Sequence, residues 1–115
     1  MSTPDPGAVV PAASLPAAHT PLPDEQVRAG APTTATIGLG TFAGVEIGVW
    51  EMTPGTAVDV EADEVFVVLA GRARIVFTDR DLEPIDVGPG DLVRLAAGMR
   101  TEWTVTETLR KVYLA

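Results

Sequence analysis

The residues that could do chemistry begin with an acidic stretch, Asp59, Glu61, Asp63 and Glu64. Several oxygens close together suit a hard cation such as calcium. Side chains alternate along a strand, so Asp59, Glu61 and Asp63 share one face and Glu64 takes the other. With Glu64 pointing inward beside Val58, Val60 and Phe66, the other three acids face solvent, and the stretch reads as a solvated face. Glu64 has two readings. At an apolar barrel mouth it would act as a general acid or base; beside an arginine it would be structural. Lys111 and Tyr113 share one strand face and offer an amine and a phenol. Trp50, Met52, Phe66 and Trp103 are either core or the apolar wall of a site. Thr101 shares a face with Trp103. Arg94, if turned inward, would hold a ligand carboxylate by a bidentate contact. Cysteine is absent, and the only histidine is His19. That excludes thiolate chemistry and a serine–histidine–aspartate arrangement among strand residues. Gly38-Leu39-Gly40 is too short for a dinucleotide fingerprint and reads as loop.

These side chains need a scaffold, and 115 residues fit one domain. Hydrophobic residues make up 46%, enough for a packed core. Seven of the ten prolines lie in residues 1–32, mixed with Ala, Ser and Thr. Proline removes a backbone donor, so this stretch makes neither long ladders nor helices. The expected organisation is a disordered or extended tail over residues 1–20 and a barrel domain over residues 21–115. Residues 21–32 would serve as an arm along the barrel wall. Strand-like runs follow at Val45–Trp50, Thr56–Val60, Val65–Leu69, Arg72–Thr78, Leu82–Val87, Asp91–Ala96, Glu102–Thr106 and Leu109–Leu114. Turn chemistry separates them at Thr53-Pro54-Gly55, Ala70-Gly71, Gly88-Pro89-Gly90 and Ala97-Gly98. No stretch carries a helical period, so many short strands predict an all-β sandwich or barrel.

Charge narrows the partners. Sixteen acids against eight bases give a net charge of −8, which argues against nucleic acid and against anionic membrane surfaces. No apolar run approaches the roughly 20 residues of a membrane span. The N-terminal residues lack the basic and apolar segments of a signal peptide. A cytoplasmic protein is expected.

Glu64, six further residues and Gly71, preceded by Gly55 and followed by Gly90-Asp91 and Ala96-Ala97-Gly98, resemble the two motifs of the cupin superfamily. Val49-Trp50-Glu51, Pro54-Gly55 and Arg110-Lys111-Val112-Tyr113 resemble its small ureidoglycine-aminohydrolase-like branch, which includes cupins of ethanolamine utilisation. The resemblance covers residues 21–115 and implies a cupin-type double-stranded β-helix, a jelly-roll barrel, with a Pro/Ala-rich N-terminal arm. It also implies that Lys111 and Tyr113 look into the barrel near Glu64. Such cupins hold a metal with three histidines and a glutamate. Here the glutamate is Glu64, the third histidine position is Thr101, and the histidine pair falls at Val58 and Val60 or, on the longer spacing, at Ala57 and Asp59. Valine and alanine carry no lone pair, so no metal and no cofactor are expected.

The expected function is therefore a metal-free pocket for a small organic molecule, lined by Trp50, Met52, Phe66, Arg94, Thr101 and Trp103. The alternatives are a metal-independent isomerase, lyase or hydrolase using Glu64, Lys111 and Tyr113, a manganese aminohydrolase of the branch, or a filled structural barrel. Exposed strand edges and the arm suggest a homodimer.

Overall fold

Runs of Val, Ile, Thr and aromatic residues become nine strands in the computed structural model, which describes residues 4–115. They are β1 (Thr20–Pro21), β2 (Val27–Ala29), β3 (Thr33–Phe42), β4 (Val45–Met52), β5 (Gly55–Val60), β6 (Glu64–Phe77), β7 (Ile85–Val87), β8 (Leu92–Leu95) and β9 (Arg100–Leu114). One short 3-10 turn, Asp24–Gln26, lies between β1 and β2. None of the described residues forms a helix long and apolar enough to cross a membrane.

The two long strands β6 and β9 pair antiparallel along most of their length. On its other side, β6 pairs first with β8 and then with β7. The other side of β9 pairs first with β5 and then with β4. Each long strand thus serves two sets of neighbours, which requires a bend. The register of β6 against β9 shifts repeatedly between Val68 and Ala73. Gly71 sits in that stretch with φ +86°, where a side chain would meet the Thr108 carbonyl. Bent in this way, the sheet curls into a barrel of the expected jelly-roll kind. Its core is apolar: Ile75, Leu95 and Leu109 are fully buried, with Phe66, Val68 and Met52 beside them. Burying such side chains is the main stabilising force.

Several expectations about elements are corrected. Val65–Leu69 and Arg72–Thr78 are one strand, as are Glu102–Thr106 and Leu109–Leu114. The glycine between the first pair bends the strand instead of ending it. β3 was not expected, and it runs through Gly38-Leu39-Gly40, which reads as loop by sequence. Pairing with β4 overrides the weak local signal there, and a register shift between Gly38 and Gly40 absorbs the glycines. Leu82–Glu83 stay outside β7, which begins only after Pro84.

The outer face of β4 and β9 carries a polar clasp. The Arg110 side chain, 9% exposed, donates from Nε to Glu51 Oε2 at 2.7 Å. Its two terminal nitrogens donate to the carbonyls of Ala12 at 3.0 Å and Leu15 at 2.7 Å. His19 Nε2 donates to Glu51 Oε1 at 2.6 Å, and its Nδ1 bonds Thr33 Oγ1 at 2.9 Å. One carboxylate and one guanidinium thereby tie the proline-rich segment to the barrel.

Burial pulls the Glu51 carboxyl upward, but its bonds to Arg110 and His19 outweigh that and hold it below its ordinary 4.5. A depressed acid stabilises the fold above its unfolded value and loses that contribution as pH falls through the folded one. Acidification below the usual carboxylate range is therefore expected to release residues 12–19 before the barrel opens. Hydrogen exchange at these amides should rise with acid in the native chain. In Glu51→Gln the rise should already be present at neutral pH.

Candidate functional site

The inner face of the barrel opens into a cavity of about 270 Å³. Alternation along β9 places Thr101, Trp103, Lys111 and Tyr113 on the inner side, all buried. From β4 come Trp50 and Met52, and from β5 Ala57 and Asp59. Leu22 and Gln26, from the segment preceding β3, close one side.

Lys111 is the centre of the arrangement. Its Nζ lies 2.6 Å from Glu64 Oε2, with the two side chains 6% and 13% exposed. Three rings surround the same nitrogen: Phe66 at 4.2 Å, Trp50 at 4.7 Å and Trp103 at 4.9 Å from the ring centroids. An ammonium over aromatic faces is attracted by their quadrupoles, the more so when water is excluded. The rings also pack on one another, with Trp103 5.6 Å from Trp50 and 5.7 Å from Phe66.

A second buried carboxylate sits beside this cage. Glu61 is 8% exposed, and its Oε2 accepts from Thr101 Oγ1 at 2.5 Å and from Trp103 Nε1 at 3.0 Å. The backbone of Glu61 bonds Met99 and Gly98, which fastens the turn after β5 to the turn before β9. Asp59 differs from both neighbours. The only hydrogen bond to its carboxylate among the described residues is from the Val60 amide, at 2.8 Å. Burial pushes the Asp59 carboxyl up, against the pull of the Val60 N–H and Lys111, and the nearby Glu64 adds to the rise. Tyr113 closes another side, donating from its hydroxyl to Glu46 Oε1 at 3.1 Å. Burial, then Glu46, raises this phenol to about 12. Its ring lies over Gly48, where any side chain would displace it.

Of the residues expected at the site, Glu64, Lys111, Tyr113, Trp50, Met52 and Trp103 line the cavity. Phe66 stands in the core and touches the site through the Lys111 amine. Thr101 is buried and spends its hydroxyl proton on Glu61. Arg94 is a correction: its side chain is 56% exposed and pairs with Asp63 on the outside at 3.2 Å. It alternates with Val93 and Leu95, whose side chains fill the core, so it must face out.

The parity of the acidic stretch is also corrected. Inward positions on β5 are Ala57 and Asp59; Val60 is 53% exposed. The strand ends at Val60, and the turn Glu61–Asp63 breaks the alternation before Glu64. Counting back from Glu64 through that turn inverts the faces. Glu61 is thus buried against expectation, whereas Asp59 lies exposed at the cavity mouth and Asp63 is exposed as well. Pairing of Asp59 with Thr101 across β5 and β9 carries the same information and was the signal available.

On the longer of the two spacings, the positions that match the cupin metal ligands are Ala57, Asp59, Glu64 and Thr101. Alanine has no donor atom, Glu64 is held by Lys111, and Thr101 is engaged with Glu61. Among the described residues no group of three or more His, Cys, Asp or Glu side chains is placed to hold a metal. This donor set does not fit a transition metal, which prefers imidazole with carboxylate.

A family model, the EutQ-like cupin domain, matches residues 40–113. No curated protein matches the sequence. Among solved structures, the EutQ protein of Clostridium difficile superposes with a TM-score of 0.61 at 22% identity, over 72% of this chain and 67% of that one. A Rhizobium leguminosarum protein of unknown function gives 0.62 at 26% identity, over 70% and 78%. A Pseudomonas syringae protein, also of unknown function, gives 0.68 at 28% identity over 85% of this chain; the match spans 44% of that longer protein.

Proposed function

The chain belongs to the EutQ-like cupin domain family, and from that premise we propose that it binds a small organic molecule in the barrel cavity without a transition metal. One observation carries the reading. Asp59 lines a cavity walled by aromatic rings, and its carboxylate has no side-chain partner while the neighbouring carboxylates Glu61 and Glu64 each have one. Apolar walls with a few convergent polar atoms are the general form of a ligand pocket. Lys111 supplies fixed positive charge beside Glu64, where related barrels would carry a metal. A ligand would stack on Trp50 and Trp103 and hydrogen-bond to Asp59.

The two tryptophans are the only ones in the chain, so intrinsic fluorescence reports on this cavity alone. Metal-stripped protein titrated with a library of small amines, acids and neutral aromatics should show saturable emission changes with some members. Trp50→Phe should reduce the signal. A library that changes emission only after manganese or zinc is added would overturn the proposal, as would one that never does.

A further inference from the structure

We infer that the ligand is an amino carboxylate, held by its ammonium at Asp59 and by its carboxylate in an adjoining groove lined by Arg28 and Arg100. This inference rests on the binding function proposed above and names its chemical class.

The groove has a volume of about 380 Å³ and adjoins the barrel cavity, the two sharing Gln26, Val58 and Asp59 in their walls. Arg28 stands on β2 and Arg100 opens β9; the β5 strand between them pairs with both. Charge accounting singles these arginines out. The chain has eight basic residues against sixteen acidic ones, so carboxylates are in excess for pairing. Among the described residues Arg74, Arg80, Arg94, Arg110 and Lys111 each hold one. Arg28, Arg72 and Arg100 do not, and two of these three line the same groove. Arg28 donates one bond, to the carbonyl of Glu25 at 2.9 Å. The guanidinium of Arg100 has no hydrogen-bond partner among the described residues. A planar guanidinium fork with free donors matches a carboxylate.

At the other end, the three cavity carboxylates are not equivalent. Glu64 is neutralised by Lys111, and Glu61 is satisfied by Thr101 and Trp103. Asp59 keeps acceptor capacity and lies on the boundary between cavity and groove. Val58 and Val60 form the apolar stretch along the same edge, which suits the methylenes of a short chain. A molecule cationic at one end and anionic at the other is thus complementary along its length.

Tryptophan emission with a defined probe series tests this. The probes are butylamine, butyrate, β-alanine, γ-aminobutyrate and ε-aminocaproate. One of the amino carboxylates is expected to bind about tenfold tighter than butylamine, the effect of one added charge-assisted contact. The double variant Arg28→Gln/Arg100→Gln should erase the difference between that probe and butylamine. Asp59→Asn should weaken butylamine and the amino carboxylates together. If butylamine binds but no added carboxylate tightens it, or the double variant keeps the gain, the groove assignment is wrong and the cavity reading stands. If no probe binds while neutral aromatics from the library do, the amino carboxylate class is wrong. Silence from probes and library alike overturns the cavity reading itself.

Discussion

Lys111→Met is expected to cost about 3 kcal/mol of folding stability at neutral pH, the lower end of what breaking a buried ion pair costs. The native amine is surrounded by Glu64 at 2.6 Å and by three rings within 4.9 Å, and the residue is 5% exposed. Methionine fills similar volume, so little of the loss comes from a cavity. The loss comes from Glu64, left as a buried carboxylate with the acid Asp59 nearby and no cation to offset either. Glu64→Gln alone should cost less, because the amide still accepts from the amine. The double variant Lys111→Met/Glu64→Gln should recover most of the loss, since a neutral polar group beside a thioether needs no counter-charge. Urea unfolding of the four proteins closes the cycle. Equal losses in single and double variants would mean that packing, not charge, fixes Lys111.

The same pair explains what a strand-by-strand reading sees and misses. Short runs of Val, Ile and Thr between glycine turns are enough to identify a β-barrel, because alternation and turn chemistry are local. Gly71 is legible as a turn residue, yet its role depends on the Thr108 carbonyl packed against it, a contact between distant positions. β3 carries glycines at 38 and 40 and is held as a strand by its pairing with β4. The face of a residue is harder to read than its strand. One irregular turn, Glu61–Asp63, inverts every assignment made across it. That is why Glu61 reads as a surface acid although it is buried; Arg94, on another strand, faces out because Val93 and Leu95 on either side of it fill the core. Trp50, Met52, Trp103, Lys111 and Tyr113 lie on uninterrupted strands, where parity holds from end to end. Arg110's bonds to the N-terminal segment are not legible, because they end on the backbone carbonyls of Ala12 and Leu15, to which any sequence contributes equally.

Trp103→Ala should be the most destabilising single change in the cavity wall, at about 4 kcal/mol or more, through two additive causes. The first is volume. Trp103 is 4% exposed and packs against Trp50, Phe66 and the Lys111 amine, so truncation leaves a void that strands β4, β6 and β9 cannot collapse into without breaking their ladders. The second is polar. Removing the indole N–H takes one of the two side-chain donors from Glu61, whose carboxylate is buried. Trp103→Phe separates the causes. It keeps most of the ring volume and deletes only the donor, so it should cost about 1–2 kcal/mol, the range for a buried acceptor losing one bond. Adding Glu61→Gln to Trp103→Phe should recover part of that cost, since a neutral amide loses less when one donor is gone. Thermal and urea unfolding of these variants gives both contributions. If Trp103→Phe matched Trp103→Ala, hydrogen bonding to Glu61 would dominate, and packing of the aromatic cage would matter little.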